Sequence, residues 1–175
     1  PNCTKLITRR CVERRFLLRP CKTVNQEFLY AIAIAAQKYG ISIHGFVVMS
    51  NHWHVVITDT HGHEPLFTRD VHRNVARALN KHWKRSDYFW DSRQPSSVWL
   101  VDENAIIEKL IYTFCNPVDA GVVAHPKSWP GLISKPEHLL GKKMIVKRPG
   151  YFRKDGNMPA EVTLTITPPP NVDCS

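Results

Sequence analysis

The feature that most restricts how this chain folds is a change of hydrophobic period at Gly40. Residues 24–39 are rich in Ala, Leu and Ile and read as a helix, which Gly40 stops. A β-branched apolar run over 41–49 follows at once. Ser50-Asn51 interrupts it and 55–57 resumes it, so a hairpin of two strands is expected. Upstream, 4–10 reads as another strand, with Leu6 and Ile7 near its middle. Downstream, 68–85 reads as a second helix whose apolar stripe is Val71, Val75, Leu79 and Trp83. Residues 96–101 suit a short strand. Asp102 suits the N-cap of a third helix that runs to Cys115 and is closed by Asn116-Pro117. Strand, helix, two strands, helix, strand, helix describes a two-layer α+β domain on a mostly antiparallel sheet. The nearest simple class is ferredoxin-like, or split βαβ. Beyond Gly121 the sequence turns Pro-rich and irregular, so 129–175 reads as a C-terminal extension, with TITPPP a strand or tail.

Composition narrows the partners. Twenty-four Lys and Arg face 15 Asp and Glu, a net charge of +9, which favours a polyanion because basic side chains release counterions from phosphates. Five cysteines (Cys3, Cys11, Cys21, Cys115 and Cys174) form no CxxC, so reduced thiols are expected rather than a disulfide framework or zinc knuckle. No apolar run approaches a membrane span and no secretory signal is visible, so a cytoplasmic protein without a membrane partner is expected.

The most informative motif is MSNHWHVVI. In a strand, residues two apart point to the same face, so His52 and His54 can reach one ion while Trp53, Val55 and Ile57 face the core. Imidazole suits Zn, Mn and related cations, whereas Mg leans on oxygen ligands. Two ordinary hydrogen-bonded histidines are the competing reading. His61-Gly62-His63 has the same spacing but sits in a Gly- and Pro-containing loop that fixes no ring, and His44 reads as a hydrogen-bonded core residue.

On the third helix the apolar stripe is read as Ile107, Leu110, Ile111 and Phe114. At roughly 100° per residue this sets Tyr112, Asn116 and Lys109 on the opposite side. A phenol beside an amide and an ammonium is a candidate nucleophile; a surface tyrosine is the plainer alternative. Basic side chains gather at Arg9, Arg10, Arg14 and Arg15, and again as a row of Arg69, Arg73, Arg77 and Lys81 on the second helix. Both groups are candidate phosphate contacts. Trp83, Tyr88, Phe89 and Trp90 are candidates for base stacking or for core packing.

ITRRCVERRFLLRP, MSNHWHVVITD, FWDSRQPSSVWLVDE and YTFCNPVDAGVV, in this order, resemble the single-tyrosine HUH transposases, and among them the REP-associated tyrosine transposases. The resemblance covers about residues 4–125, so 1–128 is taken as the catalytic domain. It implies an antiparallel sheet with helices, His52 and His54 as metal ligands, Asn116 as the third, and Tyr112 as the nucleophile. It implies Mg²⁺ or Mn²⁺ as cofactor and single-stranded DNA, a hairpin or repeat end, as partner, with the protein a monomer or homodimer. The implied reaction is transesterification: cutting through a 5′-phosphotyrosine, then rejoining. Ser50 stands where Pro is frequent in the family, Trp53 where an aliphatic residue is, and Asp119 where Arg is, which removes one phosphate contact.

Other classes predict different behaviour. A domesticated relative would bind DNA hairpins without cutting them. A metal-dependent phosphodiesterase would activate water and leave no covalent adduct. An RNA-binding ferredoxin-like domain would carry aromatic residues where this chain has histidines.

Overall fold

A computed structural model describes residues 3–152, 156–170 and 172. Cys174 lies outside them; the other four cysteines are free thiols. Among the described residues no helix is long and apolar enough to cross a membrane.

The chain runs β1 (Cys3–Arg10), α1 (Lys22–Tyr39), β2 (Ile41–Val48), β3 (His52–Asp59), α2 (Glu64–His82), β4 (Ser96–Leu100), α3 (Glu103–Asp119), β5 (Lys143–Lys147) and β6 (Glu161–Thr165). The first four strands form one antiparallel sheet in the order β2-β3-β1-β4. With a helix between β1 and β2 and another between β3 and β4, this is the ferredoxin-like arrangement expected from the order of periods.

The sheet has two different faces. Trp53, Val55 and Ile57 of β3 point to α1 and α2; Trp53 packs edge-on against Phe28 of α1 and donates its indole N–H to His72 of α2 at 3.1 Å. His52, His54, Val56 and Thr58 point the other way, towards α3. There α3 approaches closely at Gly45 of β2, where an added Cβ would lie 3.0 Å from the Phe114 ring and 3.1 Å from Leu110. α1 ends where expected: Gly40 is left-handed (φ 64°) and its N–H donates to the Ala36 carbonyl.

Three element readings change. α2 begins at Glu64, not 68, because Asp59 accepts hydrogen bonds from the N–H groups of His61, Gly62, His63 and Glu64. Pro65 follows in the first turn, where its missing N–H is no loss. α3 continues past Pro117 to Asp119, since a proline in a last turn forfeits one backbone bond. The buried stripe of α3 is Ile106, Leu110, Thr113 and Phe114 rather than Ile107, Leu110, Ile111 and Phe114: Ile111 is 57% exposed and Thr113 is 0% exposed. Tyr112 and Asn116 therefore flank the sheet-facing stripe instead of opposing it.

Beyond α3 the chain is more ordered than its Pro-rich sequence indicates. Residues 132–134 lie along the outer edge of β2, with Val48 N–H donating to the Leu132 carbonyl (2.8 Å) and Ser134 N–H to the Phe46 carbonyl (2.9 Å). β5 and β6 form an antiparallel hairpin, and Val146, Val162, Leu164 and Ile166 join the core cluster. Tyr30 of α1 donates its hydroxyl to the Pro159 carbonyl at 2.6 Å.

Candidate active site

The site is built where the start of β3 meets α3. Alternation along β3 sets the His52 and His54 rings on one face, 4.8 Å apart. The shift in the α3 stripe swings Tyr112 over the same face, its ring centroid 5.2 Å from that of His54. Tyr112 remains 38% exposed, so the phenol is open to a ligand. Asn116, one turn further along α3, is buried with its side chain against His52. The structure thus brings together four residues singled out in the sequence.

The hydrogen bonds around the two rings fix their chemistry. His54 Nδ1 shares a 2.7 Å hydrogen bond with the Thr8 hydroxyl, from the cross-strand partner on β1. His54 Nε2 is buried and has no partner among the described residues. His52 Nδ1 lies 2.6 Å from Asn51 Oδ1, an atom that can only accept, so Nδ1 carries the proton and Nε2 the lone pair. Their surroundings disfavour the charged form of both rings. Burial first, then the neighbouring His52 and Arg10, pushes His54 down to about 3. Burial and Arg10 also lower His52, while the Asn116 contact works in the opposite direction.

A divalent ion fits this donor set. An orphaned, buried imidazole nitrogen is the observation that calls for a ligand, since an unmade hydrogen bond there is unfavourable. Among the described residues no group of three or more His, Cys, Asp or Glu side chains could hold a metal. Any site here is therefore two imidazoles plus the Asn116 amide, neutral throughout, with the remaining positions open to anionic oxygens.

Beside the rings opens a cleft of about 450 Å³ lined by Thr8, Arg9, Arg10, His54, Asp91, Arg93, Lys109 and Tyr112, among others. Four basic side chains face one carboxylate, and Arg93 already pairs with that Asp91 at 2.9 Å. Arg9 is less free than its charge implies: it donates to the Arg93 carbonyl and, at 2.8 Å, to the Asp91 carbonyl. Arg10 is exposed and projects beside His52. Arg14 and Arg15 are exposed on the turn after β1, which meets the β2–β3 hairpin. The other basic row is not brought to this cleft. Arg69 and Arg73 pair with Asp70 at 3.1 Å each, on a helix packed against the opposite face of the sheet; Arg77 and Lys81 are exposed on that same helix.

No protein-family model matches the chain, and no curated protein sequence does. Among solved structures, one of a REP-associated tyrosine transposase bound to a REP hairpin superposes with a TM-score of 0.62 at 20% identity, covering 74% of this chain and 75% of that one. The chain has the fold of that tyrosine transposase. A candidate transposase from Deinococcus radiodurans R1 matches at a TM-score of 0.48 and 17% identity, over 63% of this chain and 89% of that one.

In this fold the remaining candidates sort by contact. His44 is a core residue: Nδ1 donates to the Thr167 carbonyl and Nε2 meets the Thr58 hydroxyl, both at 2.7 Å. His61 and His63 sit in the loop capped by Asp59. Phe89 is buried. Trp90 and Trp83 donate to backbone carbonyls of His72 and Leu17, and Tyr88 is left 86% exposed. Sequence reasoning missed Thr8, Asn51 and Arg93. Thr8 was visible only as the cross-strand partner of His54, which requires the register.

Proposed function

We propose that this protein is a metal-dependent single-stranded DNA endonuclease and strand transferase of the single-tyrosine HUH type, with Tyr112 as nucleophile. The observation that carries the reading is the meeting of the Tyr112 ring with the His52–His54 pair at the wall of a basic cleft.

His52, His54 and Asn116 would hold the ion, Mg²⁺ or Mn²⁺. Once bound, that ion supplies positive charge to a scissile phosphate and its leaving oxygen. The chain's own residues do the rest. Arg10, Arg93 and Lys109 offer exposed or half-exposed cations along the cleft wall to grip backbone phosphates, with Arg14 and Arg15 extending the basic surface past the hairpin. Lys109 Nζ, paired with Glu108 at 2.7 Å, lies 5.8 Å from the Tyr112 ring centroid, a cation over the ring of the attacking phenol. The Tyr112 hydroxyl releases its proton to solvent as its oxygen attacks. The Tyr112 oxygen then bonds to phosphorus and the P–O3′ bond breaks. The 3′-oxygen departs and takes up a proton. The 5′-phosphate remains on Tyr112, so the bond energy is kept for rejoining without a nucleotide cofactor. Two flanking facts favour strand transfer over hydrolysis: a phenol forms the wall beside His54, and the likeness in fold is to a tyrosine transposase. That protein is bound to a REP hairpin, which makes a DNA hairpin or repeat end the substrate to try first. Residues 1–128 would carry the chemistry. Arg9 would act mainly by holding the 91–93 loop, and Arg69, Arg73, Arg77 and Lys81 would reach DNA only where it wraps behind the sheet.

End-labelled single-stranded hairpin DNA incubated with the protein and Mg²⁺ or Mn²⁺, then run on a denaturing gel, tests this. A slow-migrating covalent species is expected, absent in Tyr112→Phe. Cleavage without any protein-linked product would turn the reading to a hydrolytic phosphodiesterase, and binding without cleavage to a domesticated hairpin-binding protein.

A further inference from the structure

Asn51 stands between two parts of the molecule that neither motif joins. Its Oδ1 lies 2.6 Å from His52 Nδ1, and its Nδ2 donates to the Arg14 carbonyl at 3.2 Å. Its own carbonyl accepts from Cys11 N–H at 2.8 Å. These partners leave the amide one orientation. The Arg14 carbonyl can only accept, so the NH₂ group must face it; the amide oxygen then faces His52 and can only accept, so the proton sits on Nδ1. The turn so held is an unusual one. Glu13 (φ 51°) and Arg14 (φ 55°) are both left-handed, a region that non-glycine residues occupy at a cost and keep only when their surroundings hold them there. Leu18 N–H donating to the Ser50 carbonyl at 2.9 Å is a second tie between the same turn and the same hairpin.

We propose that Asn51 is a positioning residue that locks His52 in the Nδ1–H tautomer, which leaves the lone pair for a cation on Nε2, and registers the Arg14–Arg15 turn against the histidine pair. The cation-binding part rests on the function proposed above; the tautomer part does not. An outer hydrogen-bond partner of a ligating histidine fixes both its tautomer and its ring orientation, and loss of such a partner typically weakens metal binding about 10- to 100-fold. The same side chain that prepares the ring also holds the strained basic turn, so phosphate-gripping charge and ligand nitrogen are set by one amide.

The test uses the full chain with ¹⁵N-labelled histidine. Ring ¹⁵N shifts of the metal-free protein at pH 8 report the His52 tautomer, and Mn²⁺ titration reports affinity. The expected result is Nδ1–H in the wild type and its loss in Asn51→Ala, with Mn²⁺ binding weakened about 10- to 100-fold. Asn51→Asp keeps an acceptor towards Nδ1 but loses the donor to Arg14, so it should retain the Nδ1–H tautomer. An Nε2–H tautomer in the wild type overturns the proposal without any variant. So does an Asn51→Ala protein with unchanged ring shifts and unchanged affinity. A wild type that takes up no Mn²⁺ overturns the metal-dependent function instead, and the ring shifts then still decide the Asn51 contact.

Discussion

At the scale of single residues, the site depends on polar atoms placed so that one nitrogen is left over. Thr8 satisfies one side of the His54 ring, and nothing among the described residues satisfies the other. Thr8→Val removes that partner from a mostly buried ring and should lower Mn²⁺ affinity about tenfold. It should also lower stability by roughly 1–3 kcal/mol through a second unpaired nitrogen. Titration calorimetry and urea unfolding read the two effects; unchanged Mn²⁺ affinity would show that the hydroxyl does not orient the ring. The histidine pair was legible in the sequence because period-two alternation in a strand decides which side chains share a face. Thr8 and Asn51 were not, because their roles come from register and from a contact across a turn. Thr8 and His54 are 46 positions apart in the chain, and no local pattern marks such a pair.

At the scale of elements, the strand and helix order was legible almost throughout, since each segment carries its own period. The rotation of α3 was not. Two apolar stripes compete on that helix, one through Ile107 and Ile111 and one through Ile106 and Thr113, and composition favours the first. The sheet decides for the second: Gly45 opens a space that Phe114 and Leu110 fill, and this turns Tyr112 and Asn116 towards the histidines. Gly45→Ala should therefore do more than lose stability. A Cβ at 3.0–3.1 Å from those side chains forces α3 outward by a few tenths of an ångström, at roughly 1–2 kcal/mol. It moves the phenol with it. Urea unfolding should show the loss, and adduct formation should fall further than DNA binding does. Equal losses in cleavage and binding would contradict a specific link between Gly45 and the phenol. The start of α2 was misread for a similar reason: Pro65 looks like loop chemistry, yet Asp59 collects four backbone N–H groups and turns that loop into a helix entry.

At the scale of the whole molecule, the region after α3 is the part least legible in the sequence. Its prolines and polar residues conceal a hairpin, although the strict alternation of EVTLT at Glu161–Thr165 is a strand signal. That region covers the outer edge of β2, which would otherwise be open for pairing. His44 ties the two parts, donating from Nδ1 to the Thr167 carbonyl. Burial pushes His44 down to about 4, and burial, then the nearby Arg9, pushes His72 down to about 3. A base whose folded pKa lies below its ordinary 6.5 contributes stability that is complete above 6.5 and is lost as pH falls towards the folded value. Glu27 acts in the opposite sense, because burial raises it to about 7, so acidification from 7 to 4.5 relieves it. His54, pushed down to about 3, and His52, also lowered, act in the same sense as His44 and His72, so the histidines outweigh the one raised carboxyl and acidification brings a net loss. Chemical denaturation between pH 7 and 4 should show stability falling by a few kcal/mol, and His44→Gln should flatten the slope. A stability that rises over that interval would contradict the assignment.

The central claim is that one phenol, Tyr112, takes up the DNA strand. The most direct measurement is mass spectrometry of the protease-digested covalent product. Nucleotide mass on the α3 peptide containing Tyr112 is the predicted result. The same mass on a peptide containing another tyrosine, such as the exposed Tyr88, or cleaved DNA with no modified tyrosine at all, would contradict it.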